Sequence, residues 1–315
     1  MSDEKYEIVH VLEKFPYLTK QIETLEAAID SDLPVIIKGE TGTGKAVLAK
    51  QIHFASRGKH TPCKSISLSH ITDELLAGEL FGYRKGAFTG AVSDHPGIIR
   101  DCSGGTLILE DFTHMSIRAQ QILLQVFDNV GIRGVGEREF TLVDVRIIVT
   151  TNDDIGSAIR TGQFRRDLFA RLASGEEITL PALNTLPIGL IKPIFCEMVL
   201  AARKKHPHPE VNGHFDIEDD VLAKIVQFVP HNFRGLLKTA ERLKRINVPC
   251  IGYADLPNRV TAEWFTPEGT WATMNRSQKC AYAQSLLQQH EGNVSRTAKS
   301  MEIPTSTFRY YLSKK

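Results

Sequence analysis

The sequence has few cysteines, no long apolar run and almost no net charge. Its five cysteines include no Cys-x-x-Cys pair and are odd in number, which argues against a disulfide framework and a zinc site and favours a reducing compartment. No stretch approaches the roughly 18 uninterrupted apolar residues of a membrane span, and the acidic N-terminus lacks the apolar core of a signal peptide. We therefore expect a cytoplasmic protein.

Because the net charge of the whole chain is almost zero, any attraction to nucleic acid must come from a local basic patch. The 315 residues include 38 Lys and Arg against 37 Asp and Glu, a formal net charge of +1. The last segment, 275–315, carries seven basic and two acidic side chains, a formal charge of +5. Because a concentrated positive charge attracts phosphate, this segment is the candidate for DNA binding.

Short apolar runs alternate with helical patterns from residue 20 onwards. The runs cover residues 33–38, 65–68, 106–109, 145–150 and 177–180. Such alternation predicts an α/β fold, with a parallel sheet wrapped by helices. The first run is apolar on both of its faces, so we expect it near the middle of the sheet.

Later parts of the chain read as helical domains. Apolar residues recur at three and four spacings within 190–204, 217–229 and 233–246, which predicts a small helical lid. After these helices Pro and Gly recur and no apolar period is sustained, which is typical of a linker. The expected organisation is a short N-terminal segment 1–19, an α/β subdomain 20–183, a lid 184–247, a linker 248–274 and a DNA-binding domain 275–315.

A glycine-rich loop separates the first predicted strand from a helix. It consists of Gly39, Glu40, Thr41, Gly42, Thr43, Gly44 and Lys45, and Ala46 follows. Backbone N–H groups of such a loop surround phosphate oxygens, and the lysine and the helix N-terminus supply positive charge. Ala46 stands where the common pattern has a magnesium-binding hydroxyl, so Mg²⁺ must rely on phosphate, water and carboxylates. The alternative is a plain strand-to-helix turn.

An acidic pair, Glu110 and Asp111, ends the third apolar run. In a parallel sheet this position lies at the carboxyl edge, beside a phosphate loop. Alone, such a pair is typical of a solvated turn. Together with the phosphate loop it predicts a metal-organising acid, Glu110 acting on Mg²⁺ through water, and a water-activating acid, Asp111.

The hexapeptide GAFTGA lies between these two motifs and consists of Gly86, Ala87, Phe88, Thr89, Gly90 and Ala91. With VRIIVTTN at 145–152, FRRDLFARL at 164–172 and PHNFRGLLKTAERL at 230–243, the chain from about residue 20 resembles the AAA+ activators of sigma-54 RNA polymerase, the bacterial enhancer-binding proteins. The resemblance implies an AAA+ fold with a helical lid, ATP and Mg²⁺ as cofactors, and a hexameric ring.

The resemblance also implies roles for single residues. The GAFTGA loop of that family contacts sigma-54, with Phe88 and Thr89 at the contact. Asn152 matches the first sensor of the terminal phosphate, and Arg234 matches the second sensor. Arg165 and Arg171 match the arginines that reach a neighbouring subunit's nucleotide. Arg166, between them, is expected on the surface.

The sequence departs from the family pattern at the catalytic edge. The family has Asp then Glu where this chain has Glu110 then Asp111, and Ser67 stands where the family has an asparagine. Gly235 replaces the glutamate that usually follows the lid arginine. Because a displacement of about 1 Å can cost about 100-fold in rate, the inverted pair leaves slow hydrolysis open as an alternative.

The basic tail reads as three helices over 275–290, 294–301 and 305–314. It resembles the Fis-type helix-turn-helix domain of these activators, in which the last helix enters the major groove. The candidate DNA-binding residues are Ser306, Thr307, Arg309, Tyr310 and Lys314, with Lys315 also on phosphate. The alternative is a helical hairpin used only for packing.

The sequence as a whole predicts an ATP-dependent, DNA-bound activator of sigma-54 transcription. Only about twenty residues precede the α/β region, so control is expected from a separate protein or from expression level. One alternative is a DNA-binding regulator that binds nucleotide and hardly hydrolyses it. Another is a general AAA+ chaperone or helicase, which the GAFTGA loop and the tail disfavour.

Overall fold

A five-stranded parallel sheet organises the first half of the chain. The computed structural model describes residues 8–58, 60–68, 73–128, 131–205, 215–246, 248, 250–252, 255–256, 287, 293–300 and 305. The strands are β1 (Val35–Lys38), β2 (Cys63–Ser67), β3 (Gly105–Glu110), β4 (Val145–Thr151) and β5 (Glu176–Thr179). Their order is β2-β3-β4-β1-β5, and every neighbouring pair is parallel. This sheet lies where the apolar runs predict strands.

The position of β1 differs from the expectation. β1 is an interior strand, but it lies between β4 and the edge strand β5. β4 is the central strand, third of the five, and pairs with β3 on one side and β1 on the other. Burial on both faces therefore identifies an interior strand without giving its place in the order.

Helices cover both faces of the sheet. They are α1 (Ile8–Lys14), α2 (Ile22–Asp30), α3 (Lys45–Arg57), α4 (Asp73–Phe81), α5 (Ile98–Asp101), α6 (Ile117–Phe127), α7 (Ile155–Arg160) and α8 (Arg166–Leu172). Val35 and Ile37 of β1 pack with α1, α2 and α3, whereas Ile36 packs with α4 to α8. Alternate residues of one strand thus enter two separate cores, as the pleat of a strand requires.

Residues 8–19 belong to this packing. Val11, Phe15 and Leu18 are almost completely buried and join the core formed with α3 and β1. The N-terminal segment expected at 1–19 thus contributes side chains to the core of the α/β region.

The chain divides into two compact units. The first lies within Met1–Ile191 and includes His231–Arg234; the second lies within Lys192–Pro230 and Gly235–Lys315. The predicted lid helices are present as α9 (Ile188–Lys205), α10 (Asp219–Phe228) and α11 (Asn232–Leu243). In the second unit, Phe195 and Phe215 pack edge to face with ring centres 6.1 Å apart.

Part of the predicted basic tail is described. α12 (Val294–Ser300) corresponds to the predicted helix 294–301, and Asn293 caps it by accepting a hydrogen bond from Arg296 N at 3.0 Å. Ala298 of this helix is buried. Among the described residues, none of the helices is both long enough and apolar enough to cross a membrane.

Candidate functional site

The predicted phosphate loop joins β1 to α3 at the carboxyl edge of the sheet. Gly42 and Gly44 have φ values of +83° and +101°, a backbone that favours glycine. A Cβ on Gly42 would lie 1.9 Å from the carbonyl oxygen of His231. Residue 42 must therefore be glycine, both for its own conformation and for the backbone that packs against it.

Lys45 is the centre of charge in this loop. Its Nζ donates hydrogen bonds to the carbonyl oxygens of Gly39 at 2.7 Å and Glu40 at 3.1 Å. Burial lowers the pKa of Lys45, and the charge of Arg234 lowers it further; three carboxylates oppose this. These carboxylates belong to Asp111, Glu110 and Asp153. Four predicted site residues, Lys45, Glu110, Asp111 and Arg234, thus share one electrostatic environment.

The acidic pair lies at the edge of the sheet as predicted. Glu110 is the last residue of β3 and is in register with Ser67 of β2 and Thr150 of β4. Asp111 directly follows with a φ of +54°. Aspartate tolerates this left-handed conformation better than most residues with a Cβ. The turn at Asp111 therefore directs the chain away from the strand immediately after the pair.

Asn152 follows β4 and is exposed at the same edge. Its neighbour Asp153 is an acidic group that sequence reasoning missed. Asp153 accepts a hydrogen bond from Thr113 Oγ1 and lies 3.5 Å from His114 Nε2. A cleft of about 660 Å³ opens beside these side chains. The available signal was position alone, since Asp153 follows a buried strand as Glu110 and Asp111 do.

Arg165 directly precedes α8 and Arg171 lies on it, and both pair with carboxylates of their own chain. Arg165 Nη2 is 2.6 Å from Asp167 Oδ2, and Arg171 Nε is 3.1 Å from Asp128 Oδ1. Arg166 is exposed, as expected.

The loop fits a phosphate group. Its glycine backbone leaves no room for side chains at Gly42, and Lys45 and Arg234 supply positive charge. Among the described residues, no group of three or more His, Cys, Asp and Glu side chains is placed to hold a metal ion. A magnesium ion here would therefore take oxygen ligands from phosphate and water as well as from Glu110 or Asp111.

The GAFTGA hexapeptide forms the tip of a loop that is closed at its base. Tyr83 and His95 form an antiparallel bridge, and Gly86 N donates to Ala91 O at 2.9 Å. Phe88 is 42% exposed, and its ring meets the ring of Tyr83 edge to face at 5.0 Å. The hexapeptide thus presents an apolar side chain at the surface.

A second loop, residues 131–141, is joined to this base; we call it the companion loop. Val135 forms a parallel bridge with Tyr83. Glu137 accepts hydrogen bonds from Arg100 and from Gly134 N, and lies 3.4 Å from Arg84 Nε. Burial raises the pKa of Glu137, but the hydrogen bonds from Arg100 and Gly134 N and the nearby arginine charges outweigh it and hold the pKa below its usual value.

Three glycines meet where the two loops begin. A Cβ on Gly97 would lie 2.4 Å from Gly82 N, and one on Gly134 would lie 2.8 Å from Gly82 O. Backbone therefore packs directly on backbone at this junction. Sequence reasoning missed both the junction and Glu137, because the companion loop has no periodic pattern.

Comparison with known proteins identifies the family. The protein-family model described as "Sigma-54 interaction domain" matches residues 11–177, more than half of the 315 residues. The chain belongs to this family. The predicted α/β fold of AAA+ type is thereby confirmed, together with the sheet described above.

Similar proteins are transcriptional regulators by name. The chain is 40% identical to the hydrogenase transcriptional regulatory protein HoxA of Bradyrhizobium diazoefficiens over 183 residues, 58% of this chain and 37% of that protein. It is 29% identical to the transcriptional regulatory protein GlrR of Escherichia coli K12 over 306 residues, 96% of this chain and 67% of that protein. The chain spans 37% of the length of the first protein, so the activity of a whole relative is not transferred to it directly.

A solved structure is similar over almost the whole chain. NtrX from Brucella abortus in complex with ATP aligns with a TM-score of 0.64 and 26% identity, covering 94% of this chain and 66% of that one.

The candidate DNA-binding residues Ser306, Thr307, Arg309, Tyr310 and Lys314 lie outside the described residues.

Proposed function

We propose that the protein is a DNA-bound transcriptional activator that binds and hydrolyses ATP to remodel sigma-54 RNA polymerase. The observation that carries the proposal is the meeting of Lys45, Arg234 and the carboxylates of Glu110 and Asp111 at the carboxyl edge of the sheet. The membership in the sigma-54 interaction family over residues 11–177 and the intact GAFTGA hexapeptide support the proposal.

The proposed roles follow from position and charge. The loop 39–46 surrounds the phosphates, with Lys45 and Arg234 opposing their negative charge. Glu110 would hold Mg²⁺ through water, where a bound ion would supply positive charge to the phosphate oxygens. Asp111 orients the attacking water, and Asn152 contacts the terminal phosphate.

A ring of subunits completes this site. Arg165 and Arg171 match the family's arginines by their six-residue spacing, and here they pair with the exposed carboxylates of Asp167 and Asp128. This supports their assignment to the nucleotide of a neighbouring subunit, where a cationic side chain stabilises the charge of phosphoryl transfer. We propose a hexamer, with the GAFTGA loops of residues 86–91 acting on sigma-54.

The tail supplies the DNA contact. Its formal charge of +5 over residues 275–315 favours duplex DNA, with Arg309 and Tyr310 among the residues that face it. We retain the proposed division into an α/β subdomain 20–183, a lid 184–247, a linker 248–274 and a DNA-binding domain 275–315, and a cytoplasmic location.

Release of phosphate from ATP tests the proposal. Turnover per subunit is measured across a protein concentration series for the wild type, for Lys45→Ala and for Lys50→Ala, which removes an exposed lysine of the same helix outside the loop. We expect turnover to rise with concentration, to vanish in Lys45→Ala and to persist in Lys50→Ala. Bound nucleotide without turnover above the Lys45→Ala level would leave only the non-hydrolysing regulator.

A further inference from the structure

Asn232 is hydrogen-bonded both to the phosphate loop and to the segment that follows β5, and all three segments belong to the first unit. The Nδ2 of Asn232 donates to Glu40 Oε2 at 3.1 Å and to Thr41 O at 3.0 Å. Its Oδ1 accepts from Leu183 N at 2.7 Å. The partners fix the orientation of the amide, because a backbone N–H needs an acceptor and a carbonyl oxygen needs a donor. Asn232 therefore holds the first half of the loop against the segment that follows β5.

The backbone at this point is shaped to make the contact. His231 and Asn232 have φ values of +59° and +54°, two consecutive left-handed residues that are not glycine. Such residues persist only when the surrounding structure stabilises them. The carbonyl of His231 fills the space that a Cβ on Gly42 would need. The turn thus contacts the loop at Gly42 as well as through the Asn232 side chain.

The residues that follow continue this contact. The ring of Phe233 stacks on Tyr17 with centres 5.8 Å apart and an angle of 15° between the rings. Arg234 acts electrostatically on Lys45. Asn232 lies in the same turn as these two residues, and its side chain makes hydrogen bonds from the turn to the loop.

We propose that Asn232 is a positioning residue that holds the phosphate-binding loop in the shape that receives nucleotide. This inference rests on the proposed function, since it assigns the loop to a nucleotide. A loop fixed before binding loses less conformational freedom when the ligand arrives, which raises affinity. The two hydrogen bonds donated by Asn232 hold the Glu40 side chain and the Thr41 carbonyl, in addition to the bond from Lys45 Nζ to Glu40 O.

The substitution Asn232→Asp isolates these donors. Aspartate has nearly the same shape, tolerates a left-handed φ and still accepts from Leu183 N. It cannot donate to Thr41 O, and it sets a negative charge against the Glu40 carboxylate. The matched control is Asn184→Asp, which adds the same charge at an exposed position beside Leu183.

Two measurements are made on the full chain. A titration with a fluorescent ADP analogue gives affinity, and amide hydrogen exchange without nucleotide reports on residues 39–45. For Asn232→Asp we expect about tenfold weaker binding and faster exchange confined to the loop, with Asn184→Asp unchanged in both. Adding Glu40→Gln to Asn232→Asp restores a donor to the pair, so at least threefold of the lost affinity should return.

The outcomes separate the inference from the proposed function. Unchanged affinity and unchanged loop exchange in Asn232→Asp would overturn the inference, as would faster exchange spread over the whole first unit, which indicates a structural role alone. Wild-type protein that binds no nucleotide, with loop exchange still accelerated by Asn232→Asp, would overturn the nucleotide function and support the positioning role.

Discussion

Ser67 and Glu110 are register partners at the carboxyl ends of β2 and β3. The residue that stands where the family has an asparagine is therefore adjacent to the acidic pair, across one backbone ladder. Asp111 is one position further along and has turned into a left-handed conformation. The two departures from the family pattern thus lie side by side at the carboxyl edge of the sheet.

Lengthening the Asp111 side chain should accelerate hydrolysis. Asp111→Glu adds one methylene to the carboxylate that orients water, and positioning errors of about 1 Å can cost about 100-fold in rate. We expect turnover to rise about tenfold, measured as phosphate release at saturating ATP. Glu110→Asp, which shortens the neighbouring acid, should lower turnover. An equal or lower rate in Asp111→Glu at unchanged nucleotide affinity would show that reach is not limiting.

Phe88 should matter for association more than for stability. Its side chain is 42% exposed, so Phe88→Ala should change the free energy of unfolding by less than about 1 kcal/mol, measured by urea denaturation. Association with sigma-54, measured by co-sedimentation, should be lost. Phe140→Ala, at an equally exposed phenylalanine of the companion loop, is the control and should keep the association. Retention of sigma-54 by Phe88→Ala would remove Phe88 from the contact.

Glu137 should stabilise the base of both loops. The side chains of Glu137 and Arg100 are only 12% and 17% exposed, and Glu137→Gln leaves Arg100 without its carboxylate. Charged hydrogen bonds in buried surroundings contribute about 1.5–3 kcal/mol, so we expect a loss of about 2 kcal/mol in urea unfolding. Glu139→Gln removes an exposed acid of the same loop and should cost almost nothing. Equal losses in the two variants would contradict a special role for Glu137.

His53 should make stability depend on pH. It is completely buried, and its Nδ1 lies 2.8 Å from Thr106 Oγ1. Burial lowers the pKa of His53 below 6.5, so the unfolded chain binds a proton more readily than the folded one, and stability falls as the pH drops below 6.5. We expect a loss of about 1 kcal/mol between pH 7.5 and pH 5.5 that His53→Gln abolishes and the exposed His60→Gln preserves. A wild-type protein equally stable at both values would refute this.

The pattern of apolar runs was sufficient to predict the carboxyl edge of the sheet and the polar and charged residues that lie there. The apolar runs ending at 38, 109 and 150 place Lys45, Glu110 and Asn152 at one edge, because parallel strands share their carboxyl ends. Strand order depends on pairing between distant segments, and β1 accordingly lies off the centre. Apolar periodicity carries no information on that choice.

Two of the three side chains that sequence reasoning missed act over long separations. Asn232 bonds to residues 191 and 192 positions away, and Glu137 of the companion loop bonds to Arg100 of α5, 37 positions away. A short polar residue before a helix predicts a cap, and an acid in an irregular loop predicts solvent exposure. The hydrogen-bond partners of Asn232 and Glu137 therefore cannot be predicted from the local sequence, because only the fold brings them together.

The backbone contacts among Gly82, Gly97 and Gly134 join the GAFTGA loop and the companion loop into one structural unit. Main-chain atoms of the three glycines are in direct contact where both loops leave the domain. We therefore expect residues 82–97 and 131–141 to be exchanged more successfully together than singly between proteins that keep the three glycines. Exchange of one loop alone would break the bridge between Tyr83 and Val135.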